Sequence, residues 1–298
     1  MSNNQRVAIL ISGRGSNMMA LVEQARGYEV VLVASDKPEA AGLVWARERG
    51  LATFSLSPKG IGKAAYEAQL DAALRKAEVG TIALAGYMRL ISDDFVARWR
   101  GRIVNIHPSL LPLYKGLDTH ARAIAAGDEH AGCSVHVVTE ELDGGAVLGQ
   151  SRVAVLQDDD AETLAARVLS AEHALYPRIL SEFVMTPIDR IRETGLSLPE
   201  TEERPSDGGV GFFVDGELFA QVRDDRHGDG LYVMCVRTSG DDERAMLPEA
   251  APDTRSPPAS GWVDVTLSGD VDWALVDDRI ARSWELAAPA RLLEAGGR

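Results

Sequence analysis

The chain has 298 residues, of which 45% are hydrophobic, and a formal net charge of −14. This length is enough for one large domain or two ordinary ones. No apolar run approaches the roughly 20 residues that cross a bilayer, and the N-terminal residues lack the pattern of a secretory signal. The cysteines, Cys133 and Cys235, lie far apart in sequence. That spacing argues against a disulfide framework and favours a cytoplasmic protein.

The charge is unevenly distributed along the chain. Residues 1–184 carry a net charge of −3, whereas residues 185–298 carry −11 and contain no lysine. Binding to nucleic-acid phosphates requires basic residues that face them. The acidic C-terminal part therefore argues against nonspecific nucleic-acid binding.

Short apolar runs alternate with helical patterns through the first 184 residues, as they do in proteins with buried parallel strands. Strands are predicted at residues 7–11, 30–34, 81–85 and 103–106, and helices at residues 18–25, 40–49, 64–77 and 92–99. A later strand pair is predicted at residues 133–139 and 147–155, followed by a long helix at residues 161–183. This order predicts an α/β domain with a doubly wound, mainly parallel sheet.

A second, smaller α+β domain is predicted over residues 187–298. Pro187 suits the first turn of a new helix, which marks the preceding residues as the boundary. Apolar runs flank Asp215-Gly216, a strong hairpin signal. The predicted strands are residues 210–214, 218–222, 231–236 and 263–267, the predicted helix is 272–286, and residues 248–260 are expected to form a surface loop.

An amide, an imidazole and a carboxylate form the first candidate site. Asn105 and His107 point to one face of an extended chain, at the strand edge where open α/β sheets bind ligands. Asp143, in a Leu-Asp-Gly-Gly turn, would favour the charged imidazole. These groups can manage a tetrahedral acyl-transfer intermediate, although a structural histidine and an ordinary hairpin turn stay open as alternatives. Structural roles are predicted for the other histidines, namely His120, His130, His136, His173 and His227.

Residues 13–17, Gly-Arg-Gly-Ser-Asn, follow the first strand and open the first helix. Backbone N–H groups and the helix dipole make such a turn an anion pocket, which favours a substrate with a terminal phosphate. A dinucleotide fingerprint would need glycine where Met18 stands. A tight turn with an N-cap is the structural alternative. No His/Cys cluster has the spacing of metal ligands.

Four segments together resemble the phosphoribosylglycinamide formyltransferases of purine biosynthesis, over roughly residues 5–184: residues 11–17, 84–89, 105–112 and 141–145. The Ser-Leu-Leu-Pro sequence within the third would alone indicate only the wider group of folate-dependent formyltransferases. The resemblance implies the formyltransferase fold. It also implies transfer of a formyl group from the co-substrate 10-formyltetrahydrofolate to the amine of glycinamide ribonucleotide, without a metal.

The resemblance further implies roles for individual residues. Asn105, His107 and Asp143 match the catalytic trio. The phosphoribosyl substrate is expected at Gly15, Ser16, Asn17 and Glu172. The folate is expected at Lys63, Met88, Arg89, Leu90, Ile91 and Asn105, with Lys63 standing where the family usually has arginine. Lys115 and Asp118 replace the usual proline and histidine of a loop, which we interpret as variation in a mobile segment.

A second resemblance rests on five short segments of the C-terminal part: residues 198–202, 261–263, 272–273, 283–286 and 288–289. With these segments, residues 187–298 resemble the small YjbR/MmcQ-like domain. A DNA-binding role has been proposed for that domain, but the acidic charge here argues against it.

Three other functions remain as alternatives. A methionyl-tRNA formyltransferase would need a basic surface for tRNA and would not need the phosphate loop. A formyltetrahydrofolate deformylase would be expected to carry an N-terminal regulatory domain. The third alternative is a binding or scaffold protein that acts mainly through its C-terminal module.

Overall fold

The computed structural model describes residues 5–206, 209–223, 232–239, 261–267 and 271–295. The chain divides into two compact units, Met1–Met185 and Thr186–Arg298. Within the described ranges, no helix is both long enough and apolar enough to cross a membrane.

The first unit is built on a seven-stranded sheet with the order β3-β2-β1-β4-β5-β6-β7. The strands are β1 (Arg6–Ile11), β2 (Glu29–Ser35), β3 (Thr53–Ser55), β4 (Thr81–Leu84), β5 (Ile103–His107), β6 (His130–Val137) and β7 (Val147–Ala154). Strands β1 to β5 pair in parallel, whereas β6 and β7 are antiparallel. The predicted doubly wound, mainly parallel sheet is confirmed.

Helices cover both faces of this sheet: α1 (Ser16–Glu23), α2 (Ala41–Glu48), α3 (Lys63–Lys76), α4 (Asp93–Arg98), α5 (Thr119–Ala126) and α6 (Ala161–Val184). Alternate side chains of β1 point to opposite faces of the sheet and pack into two separate hydrophobic cores. Val7, Ile9 and Ile11 pack with α1, α2, α5 and α6. Ala8 and Leu10 pack with α3 and α4. Because both faces are buried, β1 is continuously apolar.

Capping boxes mark where the helices on either side of the unit boundary begin. Asp160 and Thr163 form a capping box at the start of α6, which explains why acidic residues precede that helix. Thr186 and Asp189 form another at the start of α7, where Pro187 occupies the first turn.

The second unit is a five-stranded antiparallel sheet with the order β12-β11-β10-β9-β8. Its elements are α7 (Pro187–Ser197), β8 (Thr201–Ser206), β9 (Gly209–Val214), β10 (Glu217–Arg223), β11 (Val233–Arg237), β12 (Trp262–Thr266), α8 (Trp273–Ala287) and α9 (Ala290–Ala295). One sheet face forms a core with Ile191 of α7 and with Val276, Ile280 and Trp284 of α8. The predicted α+β character is confirmed.

Sequence patterns missed three elements of the sheets and their connections. Strand β3 was missed because it has only three residues. Helix α5, which follows the loop after β5, was also missed. Strand β8 contains charged residues and Pro205, which is tolerated because β8 lies at a sheet edge. Leu231 of one predicted strand, the predicted loop at residues 248–260, and His227 lie outside the described residues.

Candidate active site

Asn105 and His107 lie on β5, and Asp143 lies in the connection between β6 and β7. The nearest contact joins His107 Nδ1 and Asp143 Oδ2 at 3.4 Å, with only 7% and 9% of the two side chains exposed. Asp143 has a φ of +47°, a conformation that Asp tolerates better than most residues. At Gly145 an added Cβ would lie 1.8 Å from the Val137 carbonyl oxygen, so the turn requires glycine there.

His136 connects the amide to the carboxylate. It pairs with Asn105 in the β5–β6 register, and its Nε2 lies 3.1 Å from Asn105 Nδ2 and 3.6 Å from Asp143 Oδ1. Its Nδ1 donates to the Val137 carbonyl at 3.0 Å. Sequence patterns carry no direct signal for these contacts, because only the antiparallel register of β5 and β6 brings His136 opposite Asn105. The structural role predicted for His136 stays a prediction, to which the structure adds these two contacts.

The surroundings of Asp143 favour its ionised form. Burial acts to raise the pKa of the Asp143 carboxyl, but the nearby His136 and His107 imidazoles and the hydrogen bond from the Gly116 N–H outweigh burial and lower it. The Gly116 N–H donates to Asp143 Oδ2 at 2.9 Å. His107 Nδ1 therefore faces an ionised carboxylate 3.4 Å away.

The loop between β5 and α5 closes around this pair. His107 Nε2 donates to the Tyr114 carbonyl at 3.0 Å. Lys115 Nζ and Glu141 Oε1 form an ion pair at 2.7 Å, which joins this loop to the Asp143 turn. Asp118 precedes α5 in the left-handed conformation and is exposed. The Lys115 variation thus has a structural partner, whereas the described contacts give none for the Asp118 side chain.

The Gly-Arg-Gly-Ser-Asn turn opens α1, as its pattern predicted. Gly15 has a φ of +77° and an added Cβ would lie 3.0 Å from Met18, so glycine is favoured there. Ser16 is the first residue of the helix, where backbone N–H groups have no intrahelical acceptor. Such an N-terminus attracts anions.

Asn17 and Glu172 meet next to this turn. Asn17 Nδ2 donates to Glu172 Oε2 at 2.7 Å, and 8% and 6% of these residues are exposed. Burial raises the pKa of Glu172, while the Asn17 hydrogen bond acts in the opposite direction. Within the described part of the chain, no partner satisfies the buried Asn17 Oδ1. A buried acceptor without a partner is costly, so this atom is available to a ligand donor.

Pro177 leaves a backbone carbonyl of α6, next to Glu172, free to contact another element. Proline has no N–H, so the carbonyl of His173 loses the donor it would have in a regular helix. Gln24 Nε2 supplies the missing bond at 3.1 Å. The helix therefore contacts α1 at two successive residues, through Glu172 and His173.

The segment of residues 88–91 follows β4 and presents apolar side chains to solvent. Met88 is 68% exposed and Leu90 is 70% exposed. The Arg89 guanidinium lies over the ring of Tyr66, 4.9 Å from its centroid, and Ile91 is partly buried beside it in the core. Lys63 begins α3 and is exposed. Exposed apolar groups beside a cation form a surface suited to an aromatic ligand that carries carboxylates.

The candidate binding and reacting groups follow strands that are neighbours in the sheet. Residues 13–17, here called the anion turn, follow β1. Segment 88–91 follows β4, and Asn105 and His107 lie at the end of β5. Ligands of open α/β sheets bind at this edge, where the strand order reverses. In the part of the chain that the structure describes, no three His, Cys, Asp or Glu side chains group so as to hold a metal ion.

A family model described as formyl transferase matches residues 5–180. The chain belongs to the formyl transferase family. A second model, YjbR, matches residues 196–286 of this formyl transferase. Both resemblances seen in the sequence are thereby confirmed.

Named relatives of this formyl transferase cover mainly its first unit. The phosphoribosylglycinamide formyltransferase of Escherichia coli (strain K12) is 42% identical over 182 residues, which is 59% of this chain and 86% of that protein. The trifunctional purine biosynthetic protein adenosine-3 of Drosophila melanogaster is 45% identical over 187 residues, which is 60% of this chain. The chain spans only 14% of the length of that trifunctional relative.

A solved structure agrees with this assignment. The crystal structure of phosphoribosylglycinamide formyltransferase from Brucella melitensis has a TM-score of 0.58 and 53% sequence identity to this formyl transferase. The match covers 61% of this chain and 96% of that one. The similarity therefore spans nearly the whole of a solved enzyme and corresponds in extent to the first unit.

Proposed function

We propose that this formyl transferase moves the formyl group of 10-formyltetrahydrofolate to the amine of 5′-phosphoribosylglycinamide, a step of IMP biosynthesis. The observation that carries the proposal is the buried contact between His107 and Asp143, 3.4 Å apart, at the sheet edge that also bears Asn105 and the anion turn. The relatives named above that are similar in extent to the first unit support the same reaction.

The anion turn and Asn17 suit the phosphoribosyl substrate. The N-terminus of α1 at Gly15 and Ser16 would hold the phosphate. The free acceptor Asn17 Oδ1 and the buried Glu172 would receive ribose hydroxyl groups. This pair also distinguishes the proposal from a methionyl-tRNA formyltransferase, which would have no use for a small buried ribose site.

The reaction begins when the substrate amine attacks the formyl carbon and a new C–N bond forms. The carbonyl oxygen then becomes an oxyanion, to which Asn105 and protonated His107 donate hydrogen bonds. As the bond to the folate nitrogen breaks, the proton lost by the amine passes to that nitrogen, with Asp143 assisting through water. In this proposal Asp143 also orients the His107 ring through its contact with Nδ1.

The loop after β5 has to yield one hydrogen bond for this step. His107 Nε2 donates to the Tyr114 carbonyl in the structure, so the substrate oxygen must take the place of that carbonyl. We propose that the loop shifts when the substrates bind. The Lys115–Glu141 ion pair connects this movement to the turn that carries Asp143.

The co-substrate would lie against segment 88–91 and Lys63. Met88 and Leu90 offer exposed apolar surface for a fused ring, with Ile91 beneath them. Arg89 and Lys63 offer positive charge for the carboxylates of the folate tail. Asn105 would then contact both the formyl group and the folate that carries it.

For the second unit we propose an accessory role without nucleic-acid binding. Seven of its described arginines form ion pairs with carboxylates, so little unpaired positive charge remains for phosphates among the described residues of this unit. We further propose a cytoplasmic location, because both cysteines are buried free thiols.

The test is an assay of the purified full chain with 10-formyltetrahydrofolate and 5′-phosphoribosylglycinamide, in which formylated product is measured directly. Parallel reactions offer water alone or methionyl-tRNA as the acceptor. Formyl transfer to the glycinamide substrate only is the expected result. Formate release without the amine would instead indicate a deformylase, and formylation of the tRNA would indicate the other rival.

A further inference from the structure

Ser12 connects three of the segments that follow the parallel strands. It is the first residue after β1 and is 4% exposed. Its N–H donates to the Gly86 carbonyl at 3.1 Å. Its hydroxyl accepts from the Met88 N–H at 2.9 Å and donates to Asp36 Oδ1 at 2.6 Å. The loops after β1, β2 and β4 therefore converge on one side chain.

The direction of this hydrogen-bond chain is fixed by the chemistry of its members. A backbone N–H can only donate, so Met88 occupies an acceptor position of the Ser12 hydroxyl. The single hydroxyl proton is then directed to Asp36, which accepts as a carboxylate. Asp36 is 9% exposed, and its charge acts together with burial to raise the pKa values of Tyr66 and Tyr87. The chain is thus buried and has one orientation only.

One end and the middle of this hydrogen-bond chain adjoin different proposed substrate sites. Ser12, the middle member, directly precedes residues 13–17, the anion turn for the phosphoribosyl substrate. Met88, at one end, is the first residue of the proposed folate segment. The Ser12 hydroxyl thus connects the folate segment with the residue that precedes the anion turn.

We propose that Ser12 and Asp36 are positioning residues that couple the two substrate sites, so that occupation of one site changes the affinity of the other. This inference rests on the proposed function for the identity of the two ligands. Coupling of this kind is reciprocal, since each ligand must change the affinity of the other by the same factor. Neither side chain is required to touch the reacting atoms.

The experiment measures binding rather than turnover. The dissociation constant of 5′-phosphoribosylglycinamide is determined by calorimetry, with and without saturating tetrahydrofolate, which has no formyl group to transfer. We expect the constant to differ between the two conditions for the full wild-type chain. In Ser12→Ala the difference should disappear, and KM for 10-formyltetrahydrofolate should rise about tenfold while kcat changes less, as expected for a lost hydrogen bond to a charged group.

Three further variants complete the test. Asp36→Asn preserves an acceptor oxygen and should retain part of the coupling, whereas Asp36→Ala should lose it as Ser12→Ala does. Ser57→Ala is the matched control, because the Ser57 hydroxyl also accepts a backbone N–H two residues on, from Lys59, but lies outside the chain of contacts. Thermal unfolding identifies any variant that fails to fold. If an alanine variant does not fold, the coupling measured in Asp36→Asn decides the test.

The inference is overturned if the wild type shows no coupling, or if coupling persists unchanged in Ser12→Ala and Asp36→Ala. Coupled binding in a wild-type chain that transfers no formyl group would support the inference while refuting the proposed reaction. Formyl transfer by a wild-type chain without coupled binding would support the proposed reaction and overturn the inference.

Discussion

Replacing the carboxylate of Asp143 by an amide removes one charge and leaves the shape of the side chain unchanged. In the folded chain this carboxylate accepts the Gly116 N–H at 2.9 Å and faces His107 Nδ1 at 3.4 Å. Asp143→Asn therefore separates the electrostatic role of the residue from its packing. We expect the variant to fold and to bind both substrates but to transfer the formyl group slowly.

The magnitude follows from the distance between the two charges. At 3.4 Å and an effective dielectric constant of about 20, the attraction between carboxylate and imidazolium is roughly 5 kcal/mol. Part of that attraction is offset by the cost of holding both groups away from water. A net contribution of about 3 kcal/mol, as for a strong hydrogen bond between charged groups, corresponds to a decrease in kcat of about 10²-fold.

The assay is steady-state formyl transfer at neutral pH, with kcat and KM determined for each substrate. Glu140→Gln is the matched control, because it makes the same chemical change three residues away in the same turn, where Glu140 pairs with exposed Arg100. The control should keep its kcat. A value of kcat for Asp143→Asn within about threefold of the wild type would refute the charge argument, and so would an equal loss in Glu140→Gln.

Four further outcomes are expected. His107→Ala should abolish formyl transfer, because the oxyanion loses its charged donor, while calorimetry finds substrate binding largely intact. Asn17→Ala should raise KM for the phosphoribosyl substrate about tenfold and leave KM for the folate unchanged, since one buried polar contact is lost. Glu172→Gln should stabilise the protein increasingly as the pH rises, measured by thermal unfolding. Burial raises the folded-state pKa of Glu172, so its contribution is complete below the unfolded pKa and is lost as the pH rises through the folded value. Residues 1–186 alone should retain formyl transfer, because the first unit is compact and corresponds to nearly all of a solved relative.

Each expectation has a result that contradicts it. Unchanged turnover in His107→Ala would exclude the proposed mechanism. Equal changes in both KM values for Asn17→Ala would remove the assignment of this residue to one substrate. A pH-independent difference between Glu172→Gln and the wild type would mean that the carboxyl titrates normally in the folded state. An inactive but folded truncation would make the second unit part of the active enzyme.

The sequence predicted the sheet because its central strands are buried on both faces and therefore contain apolar runs, as at residues 7–11 of β1 and 82–84 of β4. It predicted the boundary helix because Pro187 is a local signal with a local cause. It missed β8 because charged residues and Pro205 are acceptable only at a sheet edge, and edge position depends on tertiary pairing. Local patterns thus predict elements, whereas their neighbours in the sheet are not local information.

The same distinction applies to the candidate site. Asn105 and His107 are two residues apart, so a strand alone brings them to one face. Their grouping with Asp143 was predicted from complementary chemistry and from the resemblance to known enzymes, because their proximity depends on the connection between β6 and β7. His136 and Ser12 could not be assigned from sequence, since their contacts arise from antiparallel register and from three converging loops.

Helix α1 has only eight residues, and a free helix of that length would fray at both ends. Here the side chains of Asn17 and Gln24 fasten it, near its start and just past its end, to consecutive residues of α6. Exposure of the α1 amides to solvent deuterons then requires the two helices to separate, so they should exchange as one cooperative unit. An anion arriving at Gly15 accordingly meets a helix end that is already ordered, and its binding energy is not spent on folding the site.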